Sequence, residues 1–109
     1  MIPPQPEAGQ TRIIVHIDPD LEGIVPGFLA NRRRDLVTIE GCLKQGDLNT
    51  IRILGHRMKG DGGGYGFDQI STIGDELEQA TLAQDLPSIE KQVAALTVFL
   101  NRVEVVYSR

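Results

Sequence analysis

The sequence predicts an all-α protein, an up-and-down antiparallel four-helix bundle preceded by an extended N-terminal segment. Three observations lead there. The chain has 109 residues, enough for one domain that buries a core without disulfides or metal. After residue 18 the apolar positions recur at threes, fours and sevens, the spacing of helices buried on one face. The interruptions at Gly46, at Gly64 to Gly66 and at Asp85 to Pro87 are short, and short loops make consecutive helices antiparallel neighbours.

Residues 1–17 read as a lead and a short extended segment, and residues 18–109 as the bundle. Pro3, Pro4 and Pro6 cannot sustain a helix, and Gly9 adds freedom. Arg12 to Ile17 is β-branched and extended in character but has no second such run to pair with. It is expected to lie against the domain or to form an oligomer contact. Asp18 or Asp20 can cap a helix start, with Pro19 tolerated in the first turn. The first helix then carries Leu21, Val25, Phe28, Leu29, Leu36, Ile39 and Leu43, with a kink or break expected near Pro26 and Gly27. Gly46 ends it and Asp47 caps the second helix, which carries Leu48, Ile51, Leu54 and Met58. The third follows Gly66, with Phe67, Ile70, Ile73, Leu77 and Ala80. The fourth follows Pro87, with Ile89, Val93, Leu96, Leu100, Val103 and Tyr107 in a four-three spacing.

Composition narrows the function. The hydrophobic fraction of 40% and charged fraction of 24% are those of an ordinary globular domain. Aromatic residues are 5% and Trp is absent, so an aliphatic core is expected. A net charge of -4 argues against nucleic acid as the main partner, and no apolar run is long enough to span a bilayer. The first ten residues lack the basic start and apolar stretch of a secretory signal. A single cysteine, Cys42, allows neither an internal disulfide nor a Cys-rich zinc site, and a reducing, cytoplasmic setting is the expectation. Cys42 reads as a small core residue, and His16 as a partly buried packing residue. Arg32, Arg33 and Arg34 read as a solvated helix face.

Six of the twelve glycines fall between Gly55 and Gly66. Gly55 and Gly60 have the spacing of a phosphate-binding loop, but Asp61 stands where that loop needs lysine, and no strand precedes it. Advancing about 100° per residue places Leu48, Ile51, Leu54, Gly55, Met58 and Gly62 on one face of the second helix. His56 falls well off that face, on a stripe with Arg52, Lys59 and Gly63. An imidazole has an ordinary pKa of about 6.5 and is a good nucleophile when neutral. Lys59, one turn after His56, and Arg52, one turn before, can hold an anion attached to the ring. Gly60 and Gly63 border the histidine, and Gly63 leaves room for a bulky partner. With no metal cluster and no base on the same stripe, the arrangement reads as a station that accepts and gives up a charged group.

His56-Arg57-Met58-Lys59-Gly60, with Gly63 seven and Gly66 ten residues after the histidine, resembles the signature of histidine-containing phosphotransfer (HPt) domains. Gly46-Asp47-Leu48 ahead of it and Leu77-Glu78 in the next helix fit the same pattern. The likeness covers about residues 20 to 107. It implies that His56 is phosphorylated by the aspartyl phosphate of a response-regulator receiver domain and passes the group to another receiver. A hybrid sensor kinase is a further partner it allows. Lys59 would help neutralise the phosphoryl oxygens, Gly60 and Gly63 would keep the phosphohistidine accessible, and Gly66 would mark the turn ending the helix. No cofactor is expected on this chain, since the magnesium ion would belong to the receiver. The sequence departs from the pattern at Asp61, where a small hydroxyl residue is usual, and at Gly55, where alanine is. By helical geometry Asp61 points away from His56. The competing readings are a docking or adaptor module, for instance one that inhibits a phosphatase, whose histidine is never phosphorylated, and the histidine domain of a sensor kinase. The second lacks the expected His-Glu/Asp and proline box.

Overall fold

The computed structural model describes residues 11–108; the proline-containing lead lies outside the described residues. Strand β1, Ile13–Ile17, leads through a 3-10 turn at Pro19–Leu21 into helix α1, Val25–Gln45. Helices α2 (Leu48–Gly64), α3 (Asp68–Leu82) and α4 (Leu86–Arg102) follow, and strand β2, Val103–Tyr107, continues directly from α4. Each helix packs on its neighbour in sequence, and α4 closes back on α1, which is the four-helix bundle.

The break foreseen in the first helix falls ahead of Pro26. Leu21 belongs to the 3-10 turn, whose Asp18 side chain accepts from the Asp20 backbone N–H. Pro26 sits in the first turn of α1, where its missing N–H removes no helical bond. Three of the boundaries share one device. Gly46, Gly66 and Gln84 have φ of 72°, 87° and 53°, the left-handed conformation that reverses the chain after a helix. After Gly66, the Phe67 N–H donates to Gly62 O at 2.7 Å and the Gly66 N–H to Gly63 O at 3.1 Å, satisfying carbonyls the helix end leaves over. Asp47 and Asp85 then cap α2 and α4 through the N–H groups of Thr50 and Ser88.

The ends of the chain differ from the expectation. Arg12 to Ile17 has a partner after all: β1 pairs in parallel with β2, Ile13 opposite Val103 and Ile17 opposite Tyr107. Val103 and Tyr107 therefore lie on a strand and not on the last turns of α4. The run Val-Glu-Val-Val-Tyr is rich in β-branched residues, which favour a pleated, half-buried surface. Parallel strands need a long crossover, and here the bundle itself is the crossover. Ile13, Val15, Val103, Val105 and Tyr107 pack on the core, and Ile17 is fully buried. His16 is exposed on the outer face, with Nδ1 2.9 Å from Ser108 Oγ, and is not the packing residue expected.

The core is less purely aliphatic than composition suggested. All three phenylalanines are buried. Phe28 stacks on Tyr65 at 4.3 Å and on Phe67 at 5.4 Å, and Phe67 meets Phe99 edge-on at 6.3 Å. This string joins α1, the α2–α3 turn and α4. The arginine run is also not a uniform solvated face. Arg32 is only 12% exposed, with its guanidinium 4.8 Å from the Phe28 ring centroid. Its Nε lies 2.8 Å from Asp35 Oδ2, an ion pair without the alignment of a hydrogen bond. Burial pushes the Asp35 carboxyl above its ordinary range, with Arg32 opposing that shift. Arg33 donates to the Leu100 carbonyl near the end of α4, at 3.2 Å.

Helices α2 and α3 meet backbone to backbone. A Cβ at Gly74 would lie 2.5 Å from both Gly55 O and Lys59 N, and a Cβ at Gly62 would lie 2.5 Å from Ser71 N. A Cβ at Gly64 would meet nothing within 4 Å among the described residues. Gly74→Ala should thus destabilise the protein by about 2 kcal/mol or more, overriding alanine's better helix propensity. Gly64→Ala should stabilise it by about 0.5–1 kcal/mol. Urea unfolding of the two variants checks this, and equal effects would contradict the contact.

Hydrogen bonds from Thr50 and Ser88 hold the Asp47 and Asp85 carboxyls below the usual carboxylate range. A depressed folded pKa means stability that is present above the ordinary value and lost as pH falls through the lowered one. The stability advantage of the native protein over the Asp47→Ala, Asp85→Ala double variant should accordingly be constant near neutrality and shrink below about pH 4. Thermal melts across that range measure it.

Candidate functional site

Helix α2 presents His56 because its apolar stripe turns elsewhere. Ile51, Gly55, Met58 and Gly62 are buried, and His56, Arg57, Lys59 and Gly60 are exposed. The helix continues to Gly64 through the whole glycine run. Gly62 is the member of that run packed tightly on α3, whereas a Cβ at Gly60 or Gly64 would meet nothing within 4 Å among the described residues. A Cβ at Gly63 would reach only Ser71 Oγ, at 4.0 Å. Gly60 and Gly63 therefore add no bulk on the exposed side. Gly66 makes the turn after α2, close under the Ile17 side chain.

The His56 side chain is 69% exposed, and its Nδ1 lies 2.9 Å from Glu78 Oε2 on α3. An ionised carboxylate only accepts, so Nδ1 carries the proton and donates. Nε2 then keeps its lone pair and has no partner among the described residues. A hydrogen-bond acceptor for the ring is thus supplied across the helix pair. Glu78 is 14% exposed on its side chain, which limits how far it can swing.

Lys59 Nζ lies 3.1 Å from Asp75 Oδ1. The Ser71 hydroxyl donates to the Lys59 carbonyl and links the two helices beside this pair. Arg52 is not gathered in: its guanidinium donates to Asn49 Oδ1 at 2.9 Å, one turn back on the same helix. Asp61 faces α1, with Oδ2 3.7 Å from Arg32 Nη1, on another side of α2 from Glu78.

Sequence reasoning passed over Asp75 and Gly74, and took Glu78 only as part of a Leu-Glu pair. One signal could have found them. Gly74 interrupts an otherwise regular amphipathic helix, where glycine costs about 1 kcal/mol relative to alanine. Such a glycine marks a close approach, and the acids one residue and one turn after it then face the other helix. Among the described residues, no group of three or more His, Cys, Asp or Glu side chains could hold a metal ion. None of the described helices is long and apolar enough to cross a membrane.

No curated protein and no solved structure matches the chain. Against models of known families, residues 24–105 match the Hpt domain. That span takes in all four helices, and with it His56, Lys59 and the acids of α3. The chain belongs to the Hpt domain family, whose members work in the phosphorelays of two-component signalling through contacts with receiver domains and kinases.

Proposed function

We propose that this protein is a phosphorelay intermediate in which His56 accepts a phosphoryl group from the aspartyl phosphate of a receiver domain and passes it to another receiver. The observation that carries the reading is the exposed imidazole held at Nδ1 by Glu78, with no partner on Nε2 among the described residues. The Nε2 lone pair forms the N–P bond while the acyl phosphate O–P bond breaks and the aspartate leaves as carboxylate. No proton needs to move. The ring keeps its Nδ1–H and becomes an imidazolium beside the Glu78 carboxylate. Lys59 is one helical turn away and supplies a cation for the phosphoryl oxygens. Arg52 is a second cation on the same side if its bond to Asn49 is exchanged. Gly60 and Gly63 leave clearance for the receiver's approach. The magnesium ion of the reaction is assigned to the receiver. A hybrid sensor kinase fits as the source of the receiver, and a cytoplasmic setting goes with the phosphorelay reading.

Incubation with a radiolabelled phospho-receiver should label the protein, and the label should be acid-labile and alkali-stable. His56→Gln should abolish it, and label persisting in that variant refutes the assignment. ATP alone should leave the protein unlabelled. Glu78→Ala frees the ring and should slow transfer about threefold to tenfold with the fold intact. Lys59→Ala should shorten the lifetime of the phosphohistidine at little change in melting temperature.

A further inference from the structure

Helix α3 sets one carboxylate against each working group of α2. Glu78 meets His56 and Asp75 meets Lys59, at 2.9 and 3.1 Å. Acids three residues apart on one helix thus match targets three residues apart on the other. Phosphorylation acts oppositely on the two pairs. It strengthens the first, because the ring becomes a cation next to Glu78. It opposes the second, because the phosphoryl dianion and Asp75 need the same ammonium.

The second pair is placed by backbone contact. A Cβ on Gly74, the residue before Asp75, would sit 2.5 Å from Lys59 N, and Ser71 bonds the Lys59 carbonyl one turn earlier on α3. Asp75 and the Lys59 stem are therefore brought together by the helix crossing itself. The charged ends remain half-exposed, at 42% and 48%. Exposed ion pairs are weak and readily exchanged.

We propose that Asp75 is a positioning residue that acts through Lys59, holding the ammonium on α3 while His56 is free and competing with the phosphoryl group for it afterwards. The inference rests on the reading of His56 as the phosphoacceptor. Its consequence is a phosphohistidine of higher free energy than Lys59 alone would allow, and so a readier donor.

The test uses phosphoramidate as a chemical donor, so that no partner protein is needed. The Nε2 lone pair forms the N–P bond, the P–N bond of the reagent breaks, and ammonia leaves with the bonding pair. After removal of the reagent, hydrolysis returns the electron pair to Nε2 and gives inorganic phosphate, with water supplying the oxygen and releasing a proton. Phosphorus NMR follows the decay in the native protein, Asp75→Asn, Asp75→Glu, Lys59→Gln and the Lys59→Gln, Asp75→Asn double variant. Asp75→Asn should lengthen the phosphohistidine half-life about twofold to fivefold, and Asp75→Glu should restore the native value. In the Lys59→Gln background the Asp75→Asn effect should vanish. Equal half-lives in the native protein and Asp75→Asn overturn the proposal. So does a lengthening that persists without Lys59, since Asp75 would then act on the phosphoryl group directly. If the native protein takes no phosphoryl group on His56, the functional reading fails and this inference with it, an outcome distinct from the other two.

Discussion

The structure depends on a close approach of two helix backbones. Where α2 crosses α3, Gly74 lies against Gly55 and Lys59, and Gly62 lies against Ser71, too near to admit any side chain. Helices usually pack with axes 8–10 Å apart because side chains fill the space between. Glycine on both partners removes that filling. The cost in helix propensity is offset by contact of the backbones themselves, with the Ser71 hydroxyl bonded to the Lys59 carbonyl. It also explains why Gly55 stands next to His56: a Cβ there would lie 2.9 Å from Gly74 O.

The site is a product of that crossing. A carboxylate side chain is short, and Glu78 and Asp75 reach His56 and Lys59 only because their helix runs so near. The arrangement leaves the histidine outward and oriented at once. Exposure alone would let the ring rotate and exchange tautomers, whereas burial would deny a partner access. One hydrogen bond donated by a mostly exposed ring to a mostly buried carboxylate reconciles the two. The glycines on the outer side of α2 have a separate effect, since they keep the surface beside the ring low.

The two ends of the chain close the bundle by a different means. β1 and β2 are each five residues long and would be marginal as an isolated pair. They persist on the bundle because one face of each is applied to the core. Ile17 sits over the Gly66 turn, and the Phe28, Phe67 and Phe99 cluster lies within the same core. Arg33 adds a hydrogen bond from α1 to the end of α4, where the chain leaves helix for strand. The turn that positions the end of α2 is in this way braced from the N-terminal strand.

The sequence by itself determined the four helices, their order, their glycine and aspartate boundaries, and the exposure of His56 with Lys59 one turn away. These follow from local rules: apolar period, capping chemistry and the angular advance of a helix. It misread Val103 and Tyr107 because their spacing continues a helical stripe, and a strand in this place needs a partner ninety residues distant, about which periodicity is silent. It misread Arg32 for a similar reason, since the Phe28 ring and the Asp61 carboxylate that receive it come from a turn away and from another helix. Glu78 and Asp75 were decided only by the tertiary structure. Their role comes from how close α3 approaches α2, and that distance is set by which glycines on two helices happen to meet.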